Sequence, residues 1–165
     1  MGMMTSKLDH LEGTWTGTGR AEYPTIMPAE YREELVFTSD HKHPILHYVQ
    51  RTWKIVPGTQ DIDPLFWETG FFLDKGDGIF ELASAQQGGR MEILRGSEVI
   101  TSKDHMVIEL KSVSIINDER MIQSQRVFRI SRNIFEYEQK MSTKENPVLQ
   151  IHVSARLTRS RKSEA

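Results

Sequence analysis

Gly13-Thr14-Trp15-Thr16-Gly17-Thr18-Gly19, followed closely by Tyr23-Pro24-Thr25-Ile26, reads as a β-strand that opens a barrel and then turns across its mouth. Gly17 and Gly19 are two apart, so they share one face of the strand, where missing side chains allow sharp bending or close approach of another backbone. Trp15 lies on that same face and is large enough to plug one end of a small barrel. A merely bent sheet would suit these residues equally well taken alone, so the rest of the chain has to separate the two readings.

Strand signals recur along nearly the whole length, with turn residues between them. After the opening strand they cover Glu30–Phe37, Pro44–Ile55, Leu65–Leu73, Ile79–Ala85, Met91–Arg95, Val99–Ser102, Met106–Val113, Ile122–Ile130, Ile134–Ser142 and Val148–Leu157. Asp74-Lys75-Gly76-Asp77-Gly78 and Gln86-Gln87-Gly88-Gly89 supply residues that tolerate positive φ, and Ser131-Arg132-Asn133 is a tight hairpin turn. Leu8–Glu12 carries the one helical hint. Short antiparallel strands joined mostly by hairpins form a meander, closed as a barrel or stacked as a sandwich. Along Ile134–Met141, Phe135, Tyr137, Gln139 and Met141 share one face, while Ile134, Glu136, Glu138 and Lys140 share the other. In the last strand Leu149, Ile151, Val153, Ala155 and Leu157 alternate with Gln150, His152, Ser154 and Arg156. The polar row faces water in a simple barrel, or the lumen in one with a ligand cavity.

A chain of 165 residues fits one domain with a core of useful size. Its net charge of −2 gives no reason to expect nucleic acid or a membrane surface as partner. No run approaches the ~20 apolar residues that span a bilayer, and no signal-peptide core precedes Leu11. Cysteine is absent, which excludes disulfides, thiolate catalysis and Cys-ligated metal centres. The default location is cytoplasmic. Met1-Gly2-Met3-Met4-Thr5-Ser6 formally fits the N-myristoylation pattern, but so short a pattern often matches by chance. The basic end Arg156–Lys162 reads as a solvated tail.

Ordinary enzyme signatures are missing. There is no nucleophile elbow, Walker loop, dinucleotide fingerprint or H-E-x-x-H motif. Gly17-Thr18-Gly19 precedes no helix that could cradle a phosphate. Glu33 and Glu34 are adjacent in a strand, point to opposite faces and cannot act as an acid–base pair. Of the six histidines, His41 and His43 sit with Asp40 on one turn, which reads as polar surface rather than a metal site. His105 looks exposed beside Asp104, His47 falls in a strand, and His152 lies in the polar row of the last strand.

Taken in order, several motifs resemble the nitrobindin family of haem-binding β-barrels, similar in shape to fatty-acid-binding proteins. They run from Leu11–Gly19 and Tyr23-Pro24-Thr25-Ile26 through Tyr31–Phe37 and His47–Trp53 to Glu68-Thr69-Gly70-Phe71-Phe72 and Glu81–Gly89. They close with Met141-Ser142-Thr143, Asn146-Pro147 and Leu149–Ala155. The resemblance implies an all-β, about ten-stranded antiparallel up-and-down β-barrel of the lipocalin or fatty-acid-binding-protein type. Residues 1–10 would be an N-terminal extension with a short helical turn, 11–157 the barrel and 158–165 the basic tail. It also implies haem b, one per chain, with His152 as the axial ligand to iron. Thr25 and Ile26 would cap the open iron face, and Met141, Gln86 and Phe66 would line the cavity.

The activity implied is isomerisation of peroxynitrite to nitrate on ferric haem, with reversible nitric oxide binding beside it. It needs no protein acid or base, in keeping with the missing signatures. The chain departs from the family pattern at Ala21, at the longer turns 40–44 and 57–64, and at Phe66, which stands in place of a pocket histidine. One extra residue falls between Met141 and His152; the turn at Asn146-Pro147 is expected to absorb it, because a slip within the strand would turn His152 outward. The alternative reading is an intracellular carrier of a fatty acid or other small apolar ligand, with Arg51 or Arg156 pairing its carboxylate. An exposed apolar row on a strand would favour a homodimer.

Overall fold

The computed structural model describes residues 6–60, 63–102 and 104–160. The first five residues, with the lipidation pattern, and the tail from 161 onward lie outside them. After a 3-10 turn at Asp9–Leu11 come ten strands. They are β1 (Gly13–Tyr23), β2 (Ile26–Ser39), β3 (Ile45–Lys54), β4 (Asp63–Gly76) and β5 (Ile79–Gln86). The second half is β6 (Met91–Ser102), β7 (His105–Ile116), β8 (Met121–Ser131), β9 (Ile134–Thr143) and β10 (Gln150–Arg159). Each pairs antiparallel with its chain neighbours, and β1 pairs with β10 to close the barrel. The sandwich is thereby excluded.

Alternation places the strands as expected in most of the chain. The exception is β6, where the two predicted strands at Met91–Arg95 and Val99–Ser102 are one. A bulge between Glu98 and Ile100 interrupts its pairing with β7 without ending it. The turns use the anticipated residues: Gly76, Asp77, Gly78 and Gly89 all have positive φ.

The lumen is filled in three layers. At the end where β1 begins, Trp15 is fully buried and its indole N–H donates to the Leu11 carbonyl at 2.9 Å, so the 3-10 turn and the tryptophan together close the barrel. Phe135 sits against Trp15, Phe37 and Phe128 with ring centroids 5.4–5.9 Å apart, continuing an apolar plug with Leu46, Phe72, Phe80 and Leu157. The middle of the barrel is polar. Glu33, Gln50, Glu68, Glu92 and Arg126 are all buried there. A cavity opens at the far mouth.

The glycines of β1 serve close approach. A Cβ on Gly17 would lie 2.1 Å from the Arg156 carbonyl oxygen, and one on Gly19 would lie 2.4 Å from Cζ of Tyr31. Tyr31 can therefore fold flat against the β1 backbone only because Gly19 has no side chain. Gly19→Ala should destabilise the protein by about 1–3 kcal/mol in denaturant unfolding, the usual cost of overpacking. Gly88→Ala, with nothing within 4 Å of the new methyl group, should be near neutral. Equal stability of the two variants would contradict this packing.

Candidate functional site

The site begins with an irregularity in β10. Val153, Ala155 and Leu157 lie on the barrel's inner side, Leu157 in the plug and the other two packed against it. Ser154 and Arg156 face the outside, where Arg156 pairs with Glu136 at 3.0 Å. The inner row is thus the apolar one, and strict alternation would send His152 outward with Ser154. It does not go there. Ile151 pairs with Lys140 and Val153 with Gln139, so one extra residue, His152, falls between consecutive rungs. A bulge of this kind re-aims a side chain, and His152 lines the cavity beside Val153. An irregularity within the strand, expected from sequence to turn His152 outward, does the reverse: the bulge between Ile151 and Val153 is what keeps it in the lumen.

Two contacts fix the imidazole. Its Nδ1 lies 3.0 Å from the carbonyl oxygen of Glu22, and its ring meets Tyr23 edge-on at 5.5 Å. A carbonyl only accepts, so Nδ1 carries the proton and Nε2 keeps its lone pair. Burial lowers the His152 pKa below the ordinary histidine value; the bond to Glu22 opposes this and the positive charge of Arg90 adds to it. The ring is therefore a neutral, oriented nitrogen donor at neutral pH.

The cavity around it has a volume of about 180 Å³. Ile26, Leu65 and Phe66 form its apolar side, and Thr52, Gln139 and Arg90 add polar groups. Its floor is Tyr31, Gln50 and Tyr137. Among the described residues Arg90 is the lone permanently charged group on the wall; its guanidinium reaches Asp118 at 3.4 Å, while its buried Nε has no partner. A larger groove of about 510 Å³ lies outside, where Arg20, Glu30, Arg129 and Glu138 line it with mixed charge.

Beneath the floor lie two linked polar groups. Tyr137 donates to Glu33 Oε2 at 2.7 Å and lies 2.8 Å from the Tyr31 hydroxyl, while Gln50 Nε2 donates to Glu33 Oε1 and, at 3.1 Å, to the Tyr137 oxygen. Burial pushes the Glu33 carboxyl up to about 7, against the pull of its bonds from Tyr137 and Gln50. In the second group Arg126 clasps Glu68 through two bonds of 2.6 and 2.9 Å and reaches Glu92 at 3.3 Å. Burial alone would raise Glu68, but the charge and hydrogen bonds of Arg126 prevail and hold it low. Tyr48 donates to Glu68 at 2.7 Å and Ser124 to Glu92 at 2.6 Å.

Of the residues singled out from sequence, His152, Ile26 and Phe66 meet at the cavity. Thr25 is exposed in the β1–β2 turn and Met141 is half-buried in β9 opposite Gln150; neither lines the cavity. Gln86 ends β5 with its amide donating to Glu92 at 2.9 Å, outside the cavity lining. Arg51 lies outside the barrel, its guanidinium 4.8 Å from the Trp67 ring centroid. Neither it nor Arg156 offers the lumenal cation that a fatty-acid carrier requires. Sequence reasoning missed Tyr31, Glu33, Gln50, Tyr137 and Arg90. A signal was present for the first two, since Tyr31, Glu33, Leu35 and Phe37 occupy alternate positions of one otherwise apolar row.

Comparison with known proteins follows the same lines. The chain is 36% identical over 148 residues to an Arabidopsis thaliana protein named peroxynitrite isomerase Rv2717c, covering 90% of this chain and 84% of that one. It is 36% identical over 159 residues to peroxynitrite isomerase 2 of Mycobacterium ulcerans (strain Agy99), covering 90% of both. The crystal structure of Rv2717c from M. tuberculosis superposes with a TM-score of 0.83 at 35% identity, covering 93% of this chain and 95% of that one. The family model for the THAP4-like, haem-binding β-barrel domain matches residues 4–159, and the chain belongs to that haem-binding family.

Proposed function

We propose that this barrel holds one haem b per chain on His152 and isomerises peroxynitrite to nitrate, binding nitric oxide at the same place. The observation that carries the reading is the bulge that turns His152 into the lumen with Nδ1 committed to Glu22 and Nε2 available. The donor set fits: His152, a neutral imidazole with Nε2 available, would hold the haem iron. The cavity opens at the barrel mouth, and Ile26, Leu65 and Phe66 would offer apolar contact to the group. Ferric haem supplies Lewis acidity toward an anionic oxidant.

The protein's own contribution is binding, exclusion and charge. Ile26 and Phe66 keep water from the reacting face, where their lack of polar atoms also denies protons and reductants a foothold. Arg90 gives an incoming anion a favourable potential at the wall. Peroxynitrite and nitrate are isomeric anions with no proton to gain or lose between them, so the net conversion calls for no protein acid or base. The names and crystal structure of the relatives support the reaction class.

Hemin titration of the wild type should give saturable one-to-one binding with a sharp Soret band, and His152→Ala should weaken it by at least tenfold with loss of peroxynitrite decay. Unchanged affinity and decay in the variant would reject His152 as ligand. Because His152 stays neutral below the ordinary histidine value of about 6.5, hemin affinity should be flat from pH 8 to about 6.5 and fall only at lower pH as the ring protonates. A decline already under way at pH 7.5 would contradict the orientation and burial described for the ring.

A further inference from the structure

Glu33 has no role in the function proposed above, yet it is buried with no ion-pair partner among the described residues. On either side its strand neighbours offer Gly17 of β1 and Thr52 of β3, and the Thr52 hydroxyl is donated to the Phe66 carbonyl at 3.0 Å. Gln50 of β3, Tyr137 of β9 and Tyr31 of β2 complete its surroundings, while Glu68 of β4 repels it. The nearby guanidinium of Arg126, on β8, is shared between Glu68 and Glu92. Three buried carboxylates thus face one buried arginine, and Glu33 is the carboxylate left over.

The hydrogens along this chain can be assigned. A carboxylate only accepts, so with Glu33 ionised Tyr137 donates to it, and Tyr31 must then donate to the Tyr137 oxygen. Both phenol hydrogens point inward, and Tyr31 meets the cavity as an acceptor. With Glu33 protonated the chain reverses. The acid donates to Tyr137, Tyr137 donates to Tyr31, and the Tyr31 hydrogen is freed from Tyr137, with the long 3.5 Å bond to the Ser154 carbonyl its one competing acceptor among the described contacts. Gln50 donates to Tyr137 in either case.

We propose that Glu33, Tyr137 and Tyr31 form a proton-switched relay that sets whether the cavity floor accepts or donates hydrogen bonds, so that a small anion enters with uptake of one proton. Tyr31 is the donor presented to the anion, and Glu33 and Tyr137 are positioning residues that act through it. The proton comes from solvent and rests on the Glu33 carboxyl, and no bond of the ligand is broken. A raised Glu33 carboxyl, near 7, places the switch at neutral pH.

Because this rests on haem occupying the cavity, the test separates the two claims. Fluoride, a small hydrogen-bond acceptor that binds ferric haem, is titrated into hemin-loaded protein between pH about 6 and 8.5. The wild-type affinity should fall by about tenfold in all as the pH rises through neutrality and the proton taken up on binding is lost from Glu33. Glu33→Gln, whose amide donates permanently to Tyr137, should hold the high affinity at every pH. Tyr31→Phe should bind about tenfold more weakly at the acid end and converge on the wild type at the alkaline end. Parallel pH profiles for wild type and Glu33→Gln would overturn the relay while leaving haem binding intact. Failure of the Soret band would instead reject the haem reading. The relay would then be judged on the apoprotein, where a carboxylic C=O infrared band at pH 6, lost in Glu33→Gln, is expected and its absence overturns the proposal.

Discussion

Strand β10 carries two demands that its period of two does not allow together. Val153, Ala155 and Leu157 must line the lumen as wall and plug, and His152, adjacent to the first of them, must reach the same lumen. A regular strand would satisfy one and lose the other. The unpaired residue between the Ile151 and Val153 rungs resolves the conflict. It also brings the ring within reach of the Glu22 carbonyl on β1 and the edge of Tyr23, which fix its tautomer and tilt. The ligand role proposed for His152 depends on that one interruption.

The interior around it is graded. An apolar plug at the Trp15 end closes the barrel and supplies the core, while the polar middle layer contributes little net stability, since buried ion pairs at best offset their own desolvation. Its consequence is for the cavity above it. Arg126 with Glu68 and Glu92 is a closed arrangement of charge and hydrogen bonds. Glu33 with its tyrosines is open toward the cavity floor.

Much of this was legible in the sequence. Alternation and turn chemistry gave the strands, and the plug was readable because Trp15, Phe135 and Leu157 lie on apolar rows. Close approach at Gly17 and Gly19 was one of two readings their spacing allowed, and the barrel selects it. His152 was identified through resemblance, but the row assigned to it was the wrong one for a lumenal residue, because a bulge leaves no mark in a pattern of alternate residues. The polar layer was hidden for a different reason. Glu33 and Arg126 are charged, and charge argues for the surface unless a partner across the barrel is known. That partner is set by closure of β1 on β10 and by the lumen's width, which no local window contains. Arg51, a lumenal cation only in the alternative carrier reading, stacks outside on Trp67.

The most direct test of the account is the resonance Raman spectrum of the ferrous, hemin-loaded protein. An iron–histidine stretching band should be present in the wild type, absent in His152→Gly, and restored to that variant by added imidazole. A wild type without the band, or a variant that keeps it without imidazole, would contradict the assignment of His152 as the lumenal ligand.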